Sequence, residues 1–156
     1  LIRVWRLCQA IHQAAAFDGE GARRYGGRWN PKGRAVVYTA ATLSLAALEI
    51  LVHADGDLLA VEFAAFAVDI PDAVPIESVV LDDLPARWGD EFPALICRRW
   101  GCAWLDRAET AVLAVPSAII PAETNYLLNP AHPDFAKLVI GAPAPFAFDP
   151  RLYRGE

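Results

Sequence analysis

Gly26-Gly27-Arg28-Trp29-Asn30-Pro31, then Val36-Val37-Tyr38-Thr39-Ala40, then Leu48-Glu49-Ile50-Leu51 follow one another along the chain and read as turn, strand and helix. Paired glycines let the backbone take conformations closed to other residues and let a ligand approach the main chain, while Asn30-Pro31 and Lys32-Gly33 signal turns. Ala35 to Ala40 is apolar and β-rich, so a buried strand is expected there. Thr42 is placed to cap a helix running to about Ala54, closed by Asp55-Gly56. On that helix Leu45, Leu48 and Val52 fall with Glu49 at i, i+3, i+4 and i+7, the spacing of an apolar stripe, so Glu49 is expected to be a partly buried carboxylate. Arg28, on a glycine-rich turn, is a candidate anion clamp. Each residue alone has a plainer reading: Arg28 in a surface ion pair, Tyr38 as a strand residue with a wet hydroxyl, Glu49 as a boundary residue paired with an arginine. The three together, in one turn-strand-helix unit, favour a site.

Outward from this unit, Ile2 to Leu7 alternates as a strand and Ala10 to Phe17 reads as a short helix or loop. Leu58 to Val68 and Glu77 to Leu81 read as strands separated by turns at Pro71 and Pro75, with Pro85 and Trp88 in a loop. Ala94 to Asp106 is a helix, Ala111 to Val115 a strand ended by Pro116-Ser117, and Asn125 to Pro133 is turn-rich. Phe135 to Ile140 is read as a strand and Phe146 to Leu152 as an aromatic tail. Short strands with few helices indicate a single α+β domain rather than alternating βαβ units. No G-x-G-x-x-G follows a strand and no P-loop is present, so neither nucleotide-binding motif applies.

The chain has 156 residues, 55% of them apolar, enough to bury a core as one domain spanning 1–156. Its formal net charge of −5 disfavours binding to nucleic acid by phosphate neutralisation. Arg23, Arg24, Arg28, Lys32 and Arg34 nonetheless crowd into one stretch, a local positive patch suited to a phosphorylated small molecule. Cys8, Cys97 and Cys102 are odd in number and fit neither a disulfide framework nor a zinc pattern, which points to reduced thiols and a cytoplasmic location. No apolar run of membrane-spanning length and no signal-peptide core is evident. The sequence contains no Met, so residues are expected to precede Leu1.

Among possible chemistries, Ser117, His132 and Asp134 are the components of a hydrolase triad, but Val115-Pro116-Ser117-Ala118 is not a nucleophile elbow. Glu49 and His53 lie one helical turn apart, yet no third ligand completes a metal site, and no metal is expected. His53 otherwise reads as a helix C-terminal residue interacting with the dipole. Cleavage of an N-glycosidic bond fits better. Loss of nicotinamide from ribose passes through an oxocarbenium-like transition state that a carboxylate stabilises, a role open to Glu49. A pyrophosphate is met by a planar fork of donors such as Arg28, and Tyr38 offers an aromatic hydroxyl for orientation.

Gly27-Arg28-Trp29-Asn30-Pro31, the Val36 to Ala40 strand, Leu48-Glu49, Val115-Pro116-Ser117-Ala118 and Asn125-Tyr126-Leu127-Leu128-Asn129-Pro130 with His132-Pro133 resemble the RES domain, named for its Arg, Glu and Ser. The resemblance runs from about Trp5 to Leu152 and includes the Phe146 to Leu152 ending. It implies a bacterial toxin of a type II toxin-antitoxin module, with a fold similar to ADP-ribosyltransferase toxins, that consumes NAD⁺ and is covered by an Xre-like antitoxin. Carried over by position, Arg28 would hold the dinucleotide beside Trp29, Tyr38 would orient the nicotinamide ribose, Glu49 would stabilise the transition state and Ser117 would complete the pocket. Asn129 is a weaker cofactor-binding candidate that equally reads as the holder of the Asn129-Pro130 turn. The acceptor of ADP-ribose is open between water, phosphate and a protein side chain. Two other function classes stand beside NAD⁺ depletion: a protein ADP-ribosyltransferase with one host target, and a non-catalytic nucleotide- or partner-binding module.

Overall fold

The computed structural model describes residues 1–54, 56–90 and 94–152. In chain order the strands and α-helices are β1 (Ile2–Gln9), α1 (Glu20–Tyr25), β2 (Val37–Ala40), α2 (Leu43–Val52), β3 (Phe63–Ile70), β4 (Ile76–Ser78), α3 (Leu95–Arg107), β5 (Val112–Pro116), β6 (Thr124–Leu128), β7 (Val139–Ile140) and β8 (Ala144–Phe146). They form the expected α+β domain around one sheet of order β4-β5-β6-β2-β1-β3-β7, with β8 also pairing with β3. Only the β4–β5 pairing is parallel; the others are antiparallel.

Residues two apart on a strand share a face. On β2, β5 and β6, Tyr38, Leu113, Val115 and Leu127 pack with Trp29, Cys97 and Trp104 under α3, while Val37, Val112 and Leu128 pack on the opposite side with Val4, Val68 and Ile70. A third cluster joins α2 to the sheet through Leu45, Ala46, Leu7 and Phe63. Thr42 caps α2 as expected: its hydroxyl accepts from Leu45 N at 3.1 Å. The expected closing signal at Asp55 lies outside the described residues.

Several expected boundaries move, each for a local reason. Leu58 to Ala60 is a 3-10 turn rather than the start of β3, because Asp57 accepts from Leu59 N at 2.8 Å. Leu81 to Asp83 likewise leaves β4 as a 3-10 turn, in which the Asp83 carboxylate accepts from Val80 N. The expected strand over Phe135 to Ile140 is mostly a 3-10 helix (Pro133–Lys137) begun by His132 Nδ1, which accepts from Asp134 N, and only Val139 and Ile140 pair with β3. The largest correction concerns Asn125 to Pro133. Its first half is β6, a central strand between β5 and β2, and only the part from Asn129 onward is turn.

α1 was not foreseen. It starts where Asp18 accepts from Glu20 N at 2.8 Å, and its Glu20 carboxylate takes Arg23 and Arg24, which hold it at a pKa of about 2. Two of the five cations in the basic stretch, Arg23 and Arg24, thus share the single Glu20 carboxylate, which offsets one of their two charges. Arg34 is also paired, with Asp106 at 2.8 Å. The positive patch expected from the sequence therefore narrows to Arg28, Lys32 and the one charge that Glu20 leaves on the Arg23–Arg24 pair. No helix among the described residues is long and apolar enough to cross a membrane.

Candidate active site

The glycine-rich turn is locked from within by Asn30, which is fully buried. Its amide nitrogen donates to the carbonyls of Ala22, Pro31 and Arg34 at 2.9 to 3.1 Å, and its Oδ1 accepts from the Tyr38 hydroxyl at 2.6 Å. That hydroxyl in turn accepts from Trp29 N at 3.2 Å. Burial pushes the Tyr38 phenol well above its ordinary pKa, so it stays neutral. Gly27 permits this closure: a Cβ there would stand 2.6 Å from the Tyr38 oxygen and 2.8 Å from Asn30 Oδ1. The Trp29 side chain belongs to the core, 3% exposed and 6.2 Å from Trp88 between ring centroids.

The turn, β1, β2 and α2 surround a cleft of about 810 Å³, within the range typical of small-molecule sites, roughly 300–1,000 Å³. Arg28, Tyr38 and Glu49 all line it, together with Trp29, Arg6 and Asn125. Arg28 donates to the carbonyls of Trp88, Gly89 and Asp90 at 3.3 to 3.4 Å, long contacts to neutral acceptors, and no carboxylate among the described residues lies within ion-pair distance of it. Asn129 and Ser117 do not line the cleft. Asn129 Oδ1 accepts from Ala131 N at 3.0 Å, so this side chain holds the turn after β6.

Glu49 reaches the cleft by a different helical face from the one expected. Leu48 and Val52 are 38% and 58% exposed, so the stripe they form with Leu45 is not the buried one. Ala46, Glu49, Ile50 and His53, also at i, i+3, i+4 and i+7, line the cleft. Glu49 Oε1 accepts from Ser117 Oγ at 3.0 Å and from Asn125 Nδ2 at 2.7 Å. Ser117 is fully buried behind the carboxylate, and its hydroxyl accepts from Ile119 N and Ile120 N, both at 3.1 Å. With both lone pairs so engaged, the hydroxyl proton is committed to Glu49. The triad of Ser117, His132 and Asp134 does not assemble, since His132 Nδ1 accepts from Asp134 N and the Asp134 carboxylate pairs with Lys137.

Two cleft residues escaped sequence reading. Arg6 donates to the carbonyls of Ala16 and Tyr38 at 3.0 and 3.2 Å and has no carboxylate within ion-pair distance among the described residues. Its burial pushes the guanidinium pKa down, the cost of holding a cation without a counter-ion. Three residues earlier, exposed Arg3 makes an ordinary bidentate pair with Asp69. Asn125 is the other. Among the described residues no group of three His, Cys, Asp or Glu side chains is placed to hold a metal ion. A carboxylate fixed by two donors, facing a cleft that also holds the guanidinium groups of Arg6 and Arg28, neither with an ion-pair partner among the described residues, is suited to a substrate that carries anionic groups at one end and develops positive charge at the other.

The RES domain matches residues 3–149 of this sequence. The chain belongs to the RES domain family. Its relatives in that family include Toxin Res of Photorhabdus laumondii, 38% identical over 98% of both chains. A second Toxin Res, from Yersinia enterocolitica, is 38% identical over 96% of this chain and 98% of its own length. The Prs ADP-ribosylating toxin of Sphingobium sp. is 36% identical over 96% of each. The crystal structure of the M. tuberculosis MbcT-MbcA toxin-antitoxin complex contains a chain of the same fold, with a TM-score of 0.77 at 19% identity, covering 97% of this chain and 86% of that one. Arg28 and Glu49 thus line one cleft, and Ser117 donates to the Glu49 carboxylate from behind it.

Proposed function

We propose that this RES domain chain is the toxin of a toxin-antitoxin pair and that it cleaves NAD⁺ at the nicotinamide N-glycosidic bond. The observation that carries the reading is the Glu49 carboxylate, oriented by Ser117 and Asn125 at one side of a cleft that holds Arg6 and Arg28. The names of the relatives, toxins and in one case an ADP-ribosylating toxin, support it.

In the proposed step the bond between C1′ of the ribose and the nicotinamide nitrogen breaks, and its electron pair leaves with nicotinamide, which departs neutral. The positive charge that develops on C1′ and the ring oxygen is opposed by Glu49. A nucleophile then bonds to C1′ and loses its proton, giving ADP-ribose from water, its phosphorylated form from phosphate, or an ADP-ribosylated side chain. Arg28 and Arg6 are the cations for the pyrophosphate. The Tyr38 hydroxyl is occupied by Asn30 and Trp29, so its ring, rather than a free hydroxyl, is what meets the nicotinamide riboside. Trp29 contributes backbone and core packing around it, and Asn129 has no part in the cleft.

A cytoplasmic enzyme of this kind harms its own cell, so a partner of the Xre-like antitoxin class would cover the cleft in the resting state. The MbcT-MbcA complex, solved as a toxin with its antitoxin, supports a protein partner. The second reading, modification of one host protein with little loss of bulk NAD⁺, is favoured by the name of the Sphingobium relative.

Purified protein incubated with NAD⁺ labelled in its adenylate half, with and without phosphate and cell lysate, separates these outcomes. Free nicotinamide with label remaining on small molecules supports depletion. Label on a protein band supports the second reading, and no turnover in any arm contradicts both.

Arg28→Lys is expected to raise the half-saturating NAD⁺ concentration roughly 10-fold, the equivalent of one lost charge-assisted hydrogen bond, because an ammonium lacks the planar fork. An unchanged half-saturation would show that Arg28 serves only to hold the carbonyls of residues 88–90.

A further inference from the structure

Resting on the reading of Glu49 as the group that faces the ribose, we infer that Asn125 is a positioning residue that, with Ser117, holds one oxygen of Glu49 and so fixes the rotation of the carboxylate with its other oxygen free for the substrate. The two donors to this carboxylate do not divide between its oxygens. Ser117 Oγ and Asn125 Nδ2 both land on Oε1, and Oε2 receives no hydrogen bond from the described residues. The terminal torsion of a glutamate is soft and two-fold, so an unrestrained carboxylate presents either oxygen. Loading both donors on Oε1 fixes that torsion and leaves Oε2 without a donor, its electron density kept for the developing cation.

Asn125 is an expensive choice for its place. It lies inside the sheet, opposite Ala40 on β2 and Val115 on β5, where asparagine is disfavoured relative to β-branched residues. Its Oδ1 is moreover a buried oxygen without a partner, the single such side-chain atom among the described residues. An orphaned buried acceptor is destabilising, and such a group calls for an explanation. Here the amide is the side chain that delivers an N–H to Oε1 without adding charge. Valine would suit the strand and lose that donor; aspartate would keep the shape and set one carboxylate against another.

The three residues divide the work. Ser117, held by the amides of Ile119 and Ile120, supplies a donor from behind. Asn125 supplies the second from the cleft wall. Both come from the β5–β6 hairpin, in which Val115 and Asn125 are register partners, so one rigid element sets the orientation of a side chain delivered by α2.

The test is a double-mutant cycle on NAD⁺ consumption by wild type, Asn125→Ala, Glu49→Gln and the double variant. Asn125→Ala is expected to lower kcat roughly 10- to 100-fold with KM within about 2-fold of wild type, since an interaction made in the transition state is lost and not one made to the bound ground state. In the Glu49→Gln background the same substitution is expected to cost less than about 2-fold, because the group through which it acts is gone. Asn125→Asp, nearly isosteric, is expected to lose at least as much as the alanine variant and stands in for it should that variant fail to fold. Equal losses in both backgrounds, a rise in KM alone, or an Asn125→Asp enzyme with wild-type kcat would each overturn the inference. A wild-type protein that releases no nicotinamide would overturn the proposed function as well, whereas an active wild type with an additive cycle removes only Asn125 from its role.

Discussion

Glu49→Gln is expected to keep the fold and to lose NAD⁺ cleavage by on the order of 10² to 10³ in kcat, the usual consequence of removing a preorganised electrostatic group. The amide is nearly isosteric with the carboxylate, and its oxygen can still accept from Ser117 and Asn125 at the Oε1 position. What it lacks is the negative charge opposing the cation that forms at C1′. Binding of NAD⁺ is expected to change little, because the ground-state contacts to the pyrophosphate lie with the arginines, so the loss belongs in kcat and not in KM. Steady-state kinetics beside a thermal melt check this. A variant with near-normal kcat and a native melting temperature would remove Glu49 from the chemistry.

Gly101→Ala is expected to be the most damaging substitution outside the carboxylate itself. A Cβ on this residue of α3 would sit 1.7 Å from the carbonyl oxygen of Trp29 and 2.8 Å from its carbonyl carbon. Both are backbone atoms, so no rotamer change relieves the clash, and either the helix or the glycine-rich turn must move. Trp29 is flanked by Arg28 and by Asn30, whose side chain ties the turn to α1 and to Tyr38. Movement there displaces the arginine from the cleft. A loss of at least about 3 kcal/mol, the upper part of the usual overpacking range, would lower Tm by roughly 6–12 °C in a chain of this size. NAD⁺ affinity should fall with it. Gly21→Ala is the matched control for the melt, because nothing lies within 4 Å of the Cβ it would add. A Gly101→Ala protein that melts and turns over like wild type would mean that α3 does not rest on the Trp29 backbone as described.

The central unit of turn, strand and helix was legible because its signals are local: paired glycines, Asn30-Pro31, a β-rich run and a threonine cap. The partly buried carboxylate was legible too, although the face assigned to it was wrong. α2 is apolar nearly all round, with Leu, Ile, Val or Ala at eight of its ten positions, so periodicity alone cannot say whether Leu48 or Ala46 shares a side with Glu49. That choice is made by the sheet it packs on.

β6 was hidden for a related reason. Asn125 and the Asn129-Pro130 pair carry strong turn character, but Asn125 sits in a strand for the sake of its side chain, so local propensity and tertiary role conflict there. Arg6 and Arg3 look alike in sequence. Only pairing with β2 and β3 shows that one lies in the cleft without a counter-ion while the other pairs with Asp69 at the surface. Contacts such as Ser117 with Glu49, 68 residues apart, depend on how the β5–β6 hairpin meets α2 and leave no periodic trace.

The most direct measurement is a crystal structure of Glu49→Gln soaked with NAD⁺, since that variant is expected to bind the dinucleotide without consuming it. The expected density places the pyrophosphate between Arg6 and Arg28 and the nicotinamide riboside along Tyr38, with C1′ beside the residue 49 side chain. NAD⁺ bound with its glycosidic bond remote from residue 49, or an empty cleft at concentrations that saturate the wild-type enzyme, would contradict this assignment of the site.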